Sequence, residues 1–177
     1  MDNISLIIHG LAAAVLLGGM VLLFLAVTPA TWLIDDAALR RAVTRIVGRR
    51  FAMLTGIALL LLFVTGIYQF FSEGITAPDV RDDIASFRFG PIFMAKMFLV
   101  PLLVVLIGVH GMWLGPRIGR ATDEVIASDN DTDAVFRLEN LRRSSLIFSL
   151  VMLFVTVAIF ALGITLGNHG YSQIPRG

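Results

Sequence analysis

Four long apolar runs separated by polar segments dominate the chain. They cover about residues 4–34, 51–71, 91–114 and 145–166, and each contains the roughly 20 residues that a helix needs to cross a bilayer. An α-helix satisfies its backbone hydrogen bonds within the segment, whereas a transmembrane β-barrel needs shorter segments of alternating polarity. The pattern therefore predicts an all-α, polytopic membrane protein, a bundle of four transmembrane helices forming one domain over residues 1–177.

The first run also differs from a cleaved signal peptide. Such a peptide has an apolar core of about 7–15 residues behind basic residues. Here the run is longer, and Arg40 is the first Lys or Arg of the chain. We therefore expect the run to be retained as the first span.

Arginines predict the orientation of the bundle. The polar segments 35–50 and 116–144 each hold five of them, whereas the middle segment, 72–90, holds only Arg81 and Arg88. Because positive residues are retained on the cytoplasmic side, both termini are predicted to lie on the outer face. The ten arginines are Arg40, Arg41, Arg45, Arg49, Arg50, Arg117, Arg120, Arg137, Arg142 and Arg143.

The amino-acid composition limits the possible partners and the possible metal ligands. The chain is 57% hydrophobic and 15% charged, with a net charge of +1 and no cysteine. A nucleic-acid partner would require a clustered basic face, so we expect the lipid bilayer rather than nucleic acid as the partner. Without thiolates, metal ligands are limited to methionine, histidine and carboxylate.

Ionisable residues at membrane depth are costly and are therefore candidate functional residues. His9, Lys96 and His110 lie within the apolar runs, and His169 follows the last run. At about 1.5 Å rise per residue, His9, Lys96 and His169 share a layer near the outer face, with His110 roughly 20 Å below Lys96. Lys96 either faces the bundle interior beside His9 or extends its ammonium to the interface.

Two kinds of cofactor site are compatible with these residues. Met94 and Met97 share a helix face by their spacing of three, and with His9 and His169 they would form a thioether–imidazole site suited to Cu(I). Methionine is also an ordinary core residue. Alternatively, His9 or His110 would ligate haem b axially, with Lys96 as a further cofactor-binding residue.

Several short motifs occur in a characteristic order: His9, Gly18-Gly19-Met20, Thr28-Pro29, Arg49-Arg50-Phe51, Thr65-Gly66-Ile67-Tyr68, Phe89-Gly90, Lys96, His110 and Pro116-Arg117. This order resembles the copper-resistance D-like (CopD) family of small bacterial membrane proteins. The resemblance implies a multi-pass protein of the bacterial inner membrane that takes up copper.

The chain also resembles a related group, the HemJ-type protoporphyrinogen oxidases, which are four-helix proteins. That resemblance implies haem-linked roles for their first-helix histidine and third-helix lysine, here His9 and Lys96. HemJ-type proteins carry a further histidine just before that lysine, where this sequence has Met94 and Ala95. The difference argues against the oxidase activity and is compatible with copper.

The sequence thus leads to a copper-handling hypothesis, uptake or tolerance, with a polar His/Met/Lys layer near the outer face. The alternatives are a haem b protein for electron transfer or protoporphyrinogen oxidation, and a non-catalytic accessory subunit of a membrane complex. If the protein is an enzyme, we expect a haem-dependent oxidoreductase. The sequence leaves open whether copies of this chain or other subunits cover the bundle.

Overall fold

The structure, a computed structural model, describes residues 2–72, 76–128 and 131–175. Within these residues, four helical stretches are long and apolar enough to cross a membrane: Asn3–Trp32, Ala38–Phe71, Phe89–Ala127 and Thr132–Gly167. The described residues form no strand beyond an isolated bridge between Phe87 and Pro175. The prediction of an all-α four-helix bundle is confirmed.

The first and third spans each contain a π-helical segment. The first consists of α1 (Asp2–Leu22), the π segment Leu23–Val27 and α2 (Thr28–Trp32). The second span is α3 (Ala37–Phe71), and the short α4 (Pro78–Asp82) precedes the third. The third span consists of α5 (Phe89–Gly108), the π segment Val109–Leu114 and α6 (Gly115–Ala127). The fourth span is α7 (Thr132–Gly167), and the short α8 (His169–Ser172) follows it.

Each π segment is followed by a helical stretch with a proline in its first turn, Pro29 in α2 and Pro116 in α6. A proline inside a helix lacks the N–H for its hydrogen bond, and its ring collides with a carbonyl of the preceding turn. The wider π turn accommodates both effects without ending the helix.

The helices extend well beyond the hydrocarbon-crossing runs. Segments 35–50 and 116–144 are polar, yet α3 begins at Ala37 and α6 continues to Ala127. Asp36 caps α3 by accepting hydrogen bonds from Ala38 N at 2.8 Å and Leu39 N at 3.1 Å. Hydropathy marks only the part that lipid surrounds, whereas caps and local contacts extend the helices into polar segments. Helix α7 likewise begins at Thr132, so residues 134–143 continue the fourth span as helix toward its N-terminal end.

The four spans pack as two hairpins. Helix α1 packs mainly against α3, and α5 mainly against α7. The hairpins meet through α1 and α7 and, at one end, through α3 and α6. Only 6–17% of the most apolar window of each span is buried inside the bundle, so most of this surface requires lipid around it. The shared buried core comprises Ala12, Leu16, Met20, Ala58, Leu103 and Met152.

The two ends of the bundle have different coverings. We call the end with both termini the terminal end; there Arg88 N donates to Ile174 O at 3.1 Å, which ties the C-terminal segment to the segment before α5. The opposite end, with the α2–α3 connection and helices α6 and α7, is the arginine end. Here Arg41 of α3 forms an ion pair with Asp123 of α6, and α6 and α7 bury a small apolar cluster of their own.

Candidate functional site

His9 is held to the second span by a hydrogen bond. Its Nδ1 lies 2.8 Å from Oγ1 of Thr65, and that hydroxyl donates its hydrogen to Leu61 O at 2.5 Å. A hydroxyl has a single hydrogen to donate, so Thr65 accepts from His9, and Nδ1 carries the proton. Nε2 of His9 consequently presents a lone pair, and no described residue forms a hydrogen bond to it.

A second interhelical hydrogen bond lies one turn nearer the terminal end. Nε2 of Gln69 donates to Ser5 O at 3.2 Å. Ser5 and His9 are four residues apart on α1, and Thr65 and Gln69 are four apart on α3, so the two bonds are stacked on one interface. This arrangement fixes the position and rotation of the His9 ring.

Lys96 points into the bundle. A Cβ built on Gly163 of α7 would lie 3.8 Å from its Nζ, so the ammonium lies against the backbone of α7 rather than extending to the interface. His9 and Lys96 lie at the same depth, each seven residues after the first residue of its helix at the terminal end. His9 belongs to one hairpin and Lys96 to the other, so the site lies where the hairpins meet. This is the interior-facing arrangement that the sequence left as one of two alternatives.

An aromatic wall continues from Lys96. Phe89 and Phe93 precede Lys96 by seven and three residues and therefore share its side of α5. Their rings stack with centroids 5.5 Å apart, and Phe93 stacks on Phe70 of α3 at 4.9 Å. The wall lies at the terminal end, beside the polar site.

The two methionines predicted as copper ligands face away from the interior of the bundle. Met94 and Met97 have 65% and 43% of their surfaces exposed, which places them on the outer surface of the bundle, while Lys96 of the same helix faces inward. His169 is exposed at the start of α8. Among the described residues, no three His, Cys, Asp or Glu side chains are grouped to hold a metal ion.

His110 belongs to a different environment. It lies in the π segment near the arginine end, and its buried Nδ1 has no hydrogen-bond partner within residues 2–72, 76–128 and 131–175. Oγ1 of Thr55 on α3 is also buried and has no partner in the same part of the chain. His110 lies toward the arginine end of the third span, whereas His9 lies near the terminal end of the first span. These positions agree with the predicted separation of His110 from the His9 layer.

Sequence reasoning missed Ser5, Thr65, Gln69 and the aromatic wall as parts of the site. A signal was present, because polar residues recur at a spacing of four in two otherwise apolar spans. That spacing places each pair on one helix face. Which face meets which helix depends on packing, and the sequence did not specify it.

The fold and its surface define a multi-pass, all-α membrane protein with a histidine and a lysine in its interior. No protein-family model, curated protein or solved structure matches the chain.

Proposed function

We propose that the protein binds haem b at the His9–Lys96 site and serves as a redox protein of the membrane. The observation that supports this most is the lone pair on Nε2 of His9, since Thr65 holds the proton on the other ring nitrogen. Histidine ligands of metals are typically oriented in this way, by a hydrogen bond from their second nitrogen.

The residues present fit the donor set that haem requires. One imidazole is sufficient as an axial ligand, whereas a thioether–imidazole copper site needs several protein ligands in one place. The Lys96 ammonium would pair with a propionate carboxylate, and Phe70 and Phe93 offer flat apolar surfaces. When bound, haem supplies one-electron redox chemistry at its iron.

Copper handling is our second proposal, because the same Nε2 lone pair suits Cu(I). Two observations make it weaker. A Lys96 ammonium at the same depth as His9 disfavours a second cation there, and Met94 and Met97 are on the outer surface. A copper site at His9 would need its remaining ligands from elsewhere.

A visible absorption spectrum of the detergent-purified full chain, expressed with a haem supply, tests the haem proposal. We expect a Soret band that disappears in His9→Ala and persists in His110→Ala, which removes a histidine of the same bundle. The copper content of the same samples is measured by mass spectrometry.

Three results would contradict the haem proposal. A colourless protein whose copper content falls in His9→Ala supports the copper proposal instead. A colourless protein without copper supports an accessory subunit. A Soret band that survives His9→Ala but not His110→Ala places the haem at the arginine end.

A further inference from the structure

A cleft at the arginine end gathers positive charge that the His9–Lys96 site does not use. It is a shallow, open cleft of about 280 Å³ between α6 and α7. Its lining residues are Arg117, Arg120, Ala121, Glu124, Arg137 and Leu141. Three arginines and one glutamate therefore line it.

The single carboxylate is already paired. Glu124 Oε1 accepts from Arg137 Nη2 at 3.1 Å, whereas no described residue forms an ion pair with Arg117 or Arg120. Two positive charges in the cleft therefore have no counter-ion among the described residues. Arginine binds phosphate oxygens in a forked, two-donor geometry, so a phosphate group is the ligand that two adjacent guanidiniums recognise best.

The surface leading to the cleft indicates where this phosphate comes from. The Arg117 guanidinium stacks on the Trp113 ring at 3.6 Å from its centroid. Trp113 is 53% exposed and the neighbouring Met112 is 83% exposed, and both belong to the apolar span. Tryptophan is typical of the boundary between hydrocarbon and headgroups. The apolar outer surface and the basic cleft therefore lie within one helical turn of each other. An amphiphilic ligand needs both, an apolar surface for its acyl chains and a basic one for its headgroup.

We propose that this cleft binds the phosphate headgroup of an anionic phospholipid, with the acyl chains along Met112 and Trp113. A soluble phosphate would use only the cleft and would gain nothing from the apolar surface beside it. Basic pockets at the ends of membrane helices bind anionic headgroups by the same charge complementarity. Lipid binding at this cleft does not depend on what binds at His9.

Native mass spectrometry of the detergent-solubilised full chain tests it. The probes are phosphatidylglycerol and phosphatidylcholine with identical acyl chains, and inorganic phosphate as the soluble source. We expect retention of phosphatidylglycerol over phosphatidylcholine, and a loss of about tenfold in affinity in the double variant Arg117→Gln/Arg120→Gln.

The matched control is Arg45→Gln/Arg49→Gln, which removes the same charge from exposed positions on α3 outside the cleft. It should change the affinity by less than about twofold. Glu124→Gln provides a test that keeps every arginine, and it should tighten binding several-fold by freeing Arg137.

The following results would overturn the proposal. Equal losses in both double variants would mean that only the net charge matters. Equal retention of both lipids would remove the headgroup preference. Inorganic phosphate that binds at the cleft and displaces the lipid at equal concentration would assign the cleft to a soluble ligand. Weaker lipid binding in Glu124→Gln would show that the carboxylate, rather than the free arginines, organises the site.

Discussion

The interface between α1 and α3 is stabilised differently at its two levels. Near the terminal end, hydrogen bonds link His9 to Thr65 and Gln69 to Ser5. Toward the arginine end, Gly19 faces the Phe51 ring so closely that an added Cβ would lie 2.7 Å from it. The first level is polar, whereas the second depends on close apolar contact.

The space available for an added side-chain atom also differs between the polar and the apolar level of this interface. At the polar level, a Cβ on Gly66 would lie 3.6 Å from Cε1 of His9, an ordinary contact distance. At the apolar level, the Thr55 hydroxyl is buried without a partner, although Thr65 and Thr156 both donate to a carbonyl four residues earlier. Close contact fixes the distance between the helices, and the hydrogen bonds fix how they are rotated.

The largest expected effect is on the close contact. Gly19→Ala should lower the free energy of unfolding by about 1–3 kcal/mol, because the Phe51 ring packs against the core and cannot move freely. Gly18→Ala is the control, since a Cβ there meets nothing within 4 Å. It should be neutral or stabilise the helix by up to about 1 kcal/mol. Unfolding in mixed detergent micelles measures both, and equal effects would disprove the distinction.

Removal of the polar contact should have a smaller effect on stability. Thr65→Val removes the acceptor of His9 Nδ1, so we expect a loss of about 1–2 kcal/mol from the missing interhelical bond and the unpaired nitrogen. Thr55→Val removes a hydroxyl that has no partner and should be neutral or stabilising. The same unfolding assay compares them. If haem binds, Thr65→Val should also shift the Soret band, and an unchanged spectrum would contradict the orienting role of Thr65.

The smallest effect is expected at Ser5. Gln69 Nε2 donates to the Ser5 carbonyl, while the Ser5 hydroxyl is farther away, at 3.4 Å. Ser5→Ala keeps the carbonyl and should change the unfolding free energy by no more than about 0.5 kcal/mol. Gln69→Leu removes the donor and should cost about 1 kcal/mol. A larger loss for Ser5→Ala than for Gln69→Leu would show that the hydroxyl carries the contact.

Periodicity and hydropathy were sufficient to predict the four helices and to place His9 and Lys96 at similar depth. They did not predict that α6 continues to Ala127, because the mean hydropathy of this segment is low. The available signal was the helical spacing of Ile118, Ala121 and Val125, which pack against α7. They also grouped Met94 and Met97 with His9, although these side chains face outward. Depth follows from residue count, but the direction of a side chain follows from helix rotation, which is set by contacts between helices such as the hydrogen bond of His9 to Thr65.

The π segment Val109–Leu114 sets the rotation between two parts of the third span, the part with Lys96 and the part that lines the arginine cleft. One residue of a helix corresponds to a turn of about 100°, so the wider turn sets the angle between Lys96 before it and Arg117 after it. A one-residue deletion that restored an α-helical turn would rotate these two parts of the third span against each other. The interior lysine and the arginine cleft could then no longer both face their present neighbours on α7.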